Sequence, residues 1–196
     1  MFTGIIQGLG TVKNFSNGVL KFSTDIDLSD CKIGSSISCN GVCLTIINID
    51  KKDKEFILTV NIGEETISRT IFSNYKFSLS NKINIEKSLK LGDEIAGHFV
   101  YGHVDLTTKI VNIIKLEKSW EFILKKDIRD QFKFIVEKAS VAINGISLTI
   151  AKVKDNSFAI SVIPHTYLNT NLHLSKINDL VNVEFDYLAR FQQNKL

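Results

Sequence analysis

Two short motifs carry the polar residues best placed for chemistry: Asn40-Gly41-Val42-Cys43-Leu44-Thr45 and Asn144-Gly145-Ile146-Ser147-Leu148-Thr149. In each, a thiol or hydroxyl stands two residues before a threonine, so on a strand both side chains project from one face. A thiol at 43 against a hydroxyl at 147, in otherwise matched surroundings, points to two sites that have divided their labour. His98 and His103 lie in HFVYGHV, and an imidazole moves protons near neutral pH. Ile5 holds in the first half the place that His103 takes in the second, so proton chemistry is added to one side alone. His165 follows the single proline, Pro164, which fixes an extended loop. Lys138 precedes the second motif as Gly34-Ser35 precede the first. From pattern alone each has an ordinary reading too: threonine for strand propensity, histidine as structure, lysine as a solvated surface.

The two motifs belong to a duplication. SISCNGVCLTI (36–46) and SVAINGISLTI (140–150) share six of eleven positions at an offset of 140 − 36 = 104. FILTVNIGEETISRT (56–70) answers FAISVIPHTYLNTNL (158–172) at 102, and KINIEK (82–87) answers LVNVEF (180–185) at 98. Gly4-Ile5-Ile6 answers Gly102-His103-Val104, also at 98. Four matches in one order make two modules, with the seam near Gly97. KFSTDI, CLTIINI, FILTV and INIEK alternate apolar with polar residues, so each module is mostly strand. Asn17-Gly18, Asn40-Gly41 and Asn144-Gly145 are hairpin-turn signals. Strands at such spacing predict a small barrel of about six strands, with a ligand pocket at its mouth. Short helices are expected at residues 65–70 and 166–171, capped by Thr, Ser or Asn. A last helix at 187–196 would turn Leu188, Phe191 and Leu196 toward a partner.

Composition excludes several classes. With 24 basic and 21 acidic residues the net charge is +3, too balanced for a nucleic-acid or membrane surface. Thirteen phenylalanines in a chain 44% hydrophobic supply an ordinary core. Cys31, Cys39 and Cys43 are odd in number and crowded together, which predicts reduced thiols rather than disulfides or a metal cluster. No signal peptide and no long apolar run are present, so the expected location is cytoplasmic.

MFTGI at the start, NGVCLT, GHFVYGHVD, NGISLT and IPHT together resemble the riboflavin synthase α-chain family, across both halves and in order. That resemblance implies an all-β chain of two tandem six-stranded Greek-key barrels, residues 1–97 and 98–186, with a C-terminal helix at 187–196. It implies a homotrimer whose active site lies where the first barrel of one chain meets the second barrel of the next. The reaction implied is the dismutation of two 6,7-dimethyl-8-ribityllumazine molecules to riboflavin and a ribitylamino-uracil, a transferase step needing no metal or redox cofactor. Lumazine synthase is a candidate partner. Carried over by position, Thr3, Gly4, Ile5, Cys43, Leu44 and Thr45 with Asn61, Ile62, Gly63, Glu64, Glu65 and Thr66 make a first pocket. Gly102, His103, Val104, Lys138, Ser147, Leu148 and Thr149 with Ser161, Val162, Ile163, Pro164, His165 and Thr166 make a second. The catalytic set implied is His103, Ser147, Thr149 and Cys43, supported by Ser36 and Asp186. Phe2 is expected to pack beside the site. Lumazine-binding antenna proteins share the duplication, but the presence of His103, Ser147 and Thr149 favours the enzyme. Ser80-Asn81 departs from the Gly-Asp usual in the family.

Overall fold

In the computed structural model residues 1–73, 82–126 and 130–189 are described, the side chains of 130 and 131 excepted. The first module forms β1 (Gly8–Ser16), β2 (Val19–Thr24), β3 (Ser36–Cys39), β4 (Val42–Lys52), β5 (Glu55–Asn61), the helix α1 (Glu64–Arg69) and β6 (Lys82–Lys87). The second repeats them as β7 (Leu106–Lys115), β8 (Trp120–Lys125), β9 (Ser140–Ile143), β10 (Ile146–Val153), β11 (Ser157–Val162), α2 (Pro164–Asn169) and β12 (Leu180–Phe185). Each set closes on itself, in the orders β1-β2-β5-β4-β3-β6 and β7-β8-β11-β10-β9-β12. The link from β2 to β3 passes over β5 and β4, which is the long return of a Greek key. Closure removes free sheet edges.

Alternation fills the interiors. Leu20, Phe22, Ile37, Ile46, Leu58 and Ile83 face into the first barrel, and Phe122, Leu124, Val141, Ile150, Ile160 and Val183 into the second. The barrels are therefore packed to the middle, so a ligand would be held at their rims or outer faces rather than inside them. Each buried aliphatic or aromatic side chain contributes roughly 1.5–3 kcal/mol toward closure. Asn17-Gly18, Asn40-Gly41 and Asn144-Gly145 all have both φ angles positive, as the twist of a tight hairpin demands.

The register corrects one repeat alignment. Thr45 pairs with Asn61 and Thr149 with Ser161, so β5 matches β11 at 161 − 61 = 100 rather than 102. The β4–β5 hairpin is longer than its twin by (61 − 45) − (161 − 149) = 4 residues. The helices also start earlier than expected, at Glu64 and Pro164, and neither has a side-chain N-cap. At α2 Pro164 supplies the start instead: its fixed φ suits the first helical position, where an N–H is not needed.

The modules meet about a pseudo-two-fold axis. Phe2 and Val100, equivalent residues, exchange backbone hydrogen bonds of 2.7 and 3.0 Å. The two Asn-Gly turns touch, so a Cβ on Gly41 would lie 2.6 Å from the Gly145 nitrogen. Around them, Asn84 Nδ2 donates to the Asn144 carbonyl at 3.0 Å and Asn182 Nδ2 to the Asn40 carbonyl at 2.8 Å. Asn40 and Asn144 side chains accept from the backbone N–H of Asn84 and Asn182. Phe2 is fully buried here, with Val100 and Ala142. A helical turn opens at Tyr187; Phe191, Leu196 and Ser80-Asn81 lie outside the described residues. No helix among the described residues is long and apolar enough to cross a membrane.

Candidate functional site

On β4 and β10 the alternation turns Cys43, Thr45, Ser147 and Thr149 outward, while Leu44 and Leu148 point into the cores. The side chains of Leu44, Leu148, Ile62 and Val162 are at most 7% exposed, so these four can offer a ligand only backbone. Thr45 has Ser36 opposite it on one neighbouring strand and Asn61 on the other. Thr149 stands likewise between Ser140 and Ser161. Beyond Asn61 and Ser161 the chain runs straight into α1 and α2, so Gly63, Glu64, Glu65 and Ile163, Pro164, His165 stand exposed at the rims, with Thr66 and Thr166 half-buried. Lys138 adopts a left-handed φ of 69° where its twin Gly34 has 91°. That costs a lysine about 1 kcal/mol. The two N–H groups donate equivalently, to Ile150 and Ile46.

The segments preceding each barrel are arranged crosswise. The Gly4 carbonyl accepts from Ser147 N at 2.8 Å, and the Gly102 carbonyl accepts from Cys43 N at 2.9 Å. Ile6 packs on the second core and Val104 on the first. The grouping carried over from motif order is corrected: Thr3, Gly4 and Ile5 stand beside Ser147, whereas Gly102, His103 and Val104 stand beside Cys43. His103 and Ser147 therefore belong to different walls. Sequence order hides this because docking between modules is a long-range choice. Gly4 and Gly102 are required at these contacts, since a Cβ would come within 2.6 Å of Ser147 and 2.5 Å of Cys43.

Two buried glutamates clamp the crossing segments. Glu86 accepts from Thr3 N, Thr3 Oγ1 and Gly4 N at 2.7, 2.9 and 3.1 Å. Glu184 accepts from the N–H of Tyr101, Gly102 and His103 at 2.6, 2.9 and 3.1 Å. Burial pushes the Glu184 carboxyl up to about 7, against the pull of its N–H donors and helped by Asp105. Burial raises Glu86 as well. Sequence reasoning placed these glutamates in a shared strand motif and missed their role. The signal was a charge inside an apolar strand, in both copies.

Because its pKa is raised from 4.5, Glu184 adds stability that is full below about pH 4.5 and is lost as pH rises through about 7. Glu184→Gln turns one acceptor into a donor facing an N–H, so it should cost about 1–3 kcal/mol. It should also abolish that share of the pH dependence. Urea unfolding of both chains at pH 5 and pH 8 tests this: the deficit of the Gln variant should shrink at pH 8. A deficit constant with pH would refute the assignment.

The histidine that reaches Ser147 is His98, not His103. A 2.7 Å hydrogen bond links His98 Nδ1 to Ser147 Oγ, and His98 N donates to the Thr3 carbonyl at 3.1 Å. Burial lowers the His98 pKa while Asp186 pulls it the other way. Asp186 thus lies on the Ser147 side, where its Oδ1 also accepts from Leu188 N at 3.0 Å. His103 is exposed, its ring centroid 6.2 Å from that of Tyr101. Among the described residues no three His, Cys, Asp or Glu side chains are grouped to hold a metal. A cleft of about 420 Å³ runs under residues 86–96 and touches Thr3 and Ile5, but Cys43, Thr45, Ser147 and Thr149 do not line it. The four polar side chains singled out by the motifs sit on the outer walls of the barrels.

Two outward walls of like geometry and unlike side chains suit one ligand type bound twice. The family model for the lumazine binding domain matches residues 3–88 and again residues 101–186. The chain belongs to the lumazine-binding domain family. Among its relatives, the riboflavin synthase of Brucella abortus is 39% identical, the match covering 97% of this chain and 96% of that protein. The riboflavin synthase of Chlamydia trachomatis is 39% identical over 98% and 92%, and that of Buchnera aphidicola from Schizaphis graminum 38% over 97% and 91%. The solved structure of LumP complexed with riboflavin superposes with a TM-score of 0.80 at 24% identity, covering 94% of this chain and 99% of that one. LumP complexed with 6,7-dimethyl-8-(1'-D-ribityl) lumazine gives 0.79 at 23%, with the same coverage. These two likenesses establish the lumazine-binding fold of the chain and nothing finer.

Proposed function

We propose that the chain is a riboflavin synthase, converting two 6,7-dimethyl-8-ribityllumazine molecules to riboflavin and 5-amino-6-(D-ribitylamino)uracil. The observation that carries this reading is full-length identity of 38–39% to riboflavin synthases of several bacteria. The crosswise pair of unlike walls supports it. Dismutation needs two copies of one substrate held face to face, one giving up a four-carbon unit and one receiving it. Twin sites orient the two copies and remove most of the entropic barrier. Unequal residues, Ser147 with His98 against Cys43 with His103, let one site favour the donor and the other the acceptor.

The C7 methyl of the lumazine is acidic because its anion delocalises into the ring, so a base and hydrogen bonds to the developing charge suffice. Ser147 and Thr149 are the hydroxyls placed to supply those bonds, and Cys43 and Thr45 their counterparts. Ser36 and Asp186 act behind them. Backbone at 61–66 and 161–166, with Lys138, borders the ligand. The barrel modules span 1–97 and 98–186. The chains assemble as a homotrimer in the cytoplasm, a site forming where one chain's Cys43 wall faces another's Ser147 wall. Exposed Ile5, Tyr187 and Leu188 support such packing. The segment 187–196 contributes to it, and lumazine synthase is a candidate partner.

Purified chain mixed with the lumazine and a metal chelator should yield riboflavin, followed by its absorbance and fluorescence. Tight binding with no product would overturn the enzyme reading in favour of a ligand-carrying protein.

A further inference from the structure

We infer that His98 is a positioning residue that holds the Ser147 hydroxyl with its proton turned out toward the ligand. This rests on the synthase reading. His98 is tied at two points, by its N–H to the Thr3 carbonyl and by Nδ1 to Ser147 Oγ at 2.7 Å. Its other ring nitrogen, Nε2, is shut away from solvent and has no hydrogen-bond partner among the described residues. The two neutral tautomers differ in what they leave there. With the proton on Nε2, a buried N–H is orphaned; with it on Nδ1, only a lone pair is. Orphaned buried N–H groups are the rarer and costlier outcome. The proton therefore belongs on Nδ1, which donates to Ser147 Oγ.

A serine oxygen that accepts from His98 keeps its own O–H free, and that proton can be donated to charge forming on a substrate. The direction suits stabilisation of a carbanion delocalised into a ring. Asp186 is the charged group acting on His98, and it favours the imidazolium; burial outweighs it and lowers the pKa of the ring. His98 also comes from the start of the second module, so the crosswise seam that brings Gly4 to Ser147 delivers it. At the twin wall, Gly102 brings His103, which is exposed and points the difference between the two sites elsewhere.

Nitrogen-15 NMR of labelled wild-type protein reads the tautomer directly. The expected result at pH 8 is a proton fixed on Nδ1. A proton on Nε2, or averaging between the two nitrogens, overturns the inference. Kinetics give the second arm. His98→Leu should lower kcat by about tenfold to a hundredfold while the dissociation constant of the lumazine changes by about twofold or less. His98→Asn, whose amide can still donate to Ser147, should recover most of the rate. In a Ser147→Ala background His98→Leu should cost nothing further, whereas additive losses would make the residue merely structural. Should His98→Leu fail to fold, the tautomer and the Asn variant decide. A wild-type chain that binds lumazine and makes no riboflavin fails the synthase reading alone, and leaves the tautomer result standing.

Discussion

Ser147→Ala is expected to lower turnover about a hundredfold or more, the usual loss when one aligned donor to developing charge is removed. Folding should survive. Ser147 is half-buried on the outer wall of β10, with Leu148 taking the core position next to it. Deleting its oxygen opens no cavity in the barrel, and it leaves His98 Nδ1 as the group without a partner. The stability cost should stay near 1–2 kcal/mol, the price of one unpaired polar group. Cys43→Ala at the twin position should cost less, about tenfold or below, because a thiol is a weak donor. Steady-state kcat with fluorescence binding and a thermal melt for each variant separates these effects. Equal losses at 43 and 147 would argue that the two walls do the same job. An unchanged rate at 147 would remove the serine from the chemistry altogether.

Much of this was legible from residue order, and the failures have physical causes. Asn40-Gly41 and Asn144-Gly145 announced matching hairpins because few other pairs accept two positive φ angles. Alternation in CLTIINI and INIEK gave strands, and the strands gave the barrels. The same alternation misled the alignment of β5 with β11. Sliding a strand by two residues keeps every side chain on its face, so an offset of 102 looked as good as the true 100. Leu44, Leu148, Ile62 and Val162 belong to the expected binding set through their motifs, and because every second residue of a strand points inward only their backbone is left to face a ligand. The crosswise docking left no local trace. Gly4 beside Ser147 and Gly102 beside Cys43 depend on how two finished barrels meet, and that contact joins residues 143 and 59 positions apart. His98 was passed over for the same reason. Its partner lies 49 residues away, and nothing in HFVYGHV distinguishes it from His103.

Gly145→Ala should be strongly destabilising, costing about 3 kcal/mol or more. Two penalties act together. The residue has φ +79, a left-handed conformation that costs an alanine roughly 1–2 kcal/mol. The added Cβ would also lie 2.7 Å from the Gly41 nitrogen and 2.8 Å from its Cα. Those are backbone atoms of the opposing turn, so no side chain can swing aside, and overpacking of this kind costs about 1–3 kcal/mol. Relief requires the barrels to part along the pseudo-two-fold axis. That would stretch the Asn84–Asn144 and Asn182–Asn40 hydrogen bonds and pull Gly4 from Ser147 and Gly102 from Cys43. Activity should therefore fall with stability, although Gly145 lies at the seam between the barrels and outside the proposed binding set. Gly34→Ala is the control: its φ is +91, yet nothing lies within 4 Å of the new Cβ, so it carries the conformational penalty without the clash. Urea unfolding of both variants, read by far-UV circular dichroism, checks the difference. If Gly34→Ala and Gly145→Ala lose equal stability, the barrels do not meet through their Asn-Gly turns, and the crosswise pairing of the two walls goes with them.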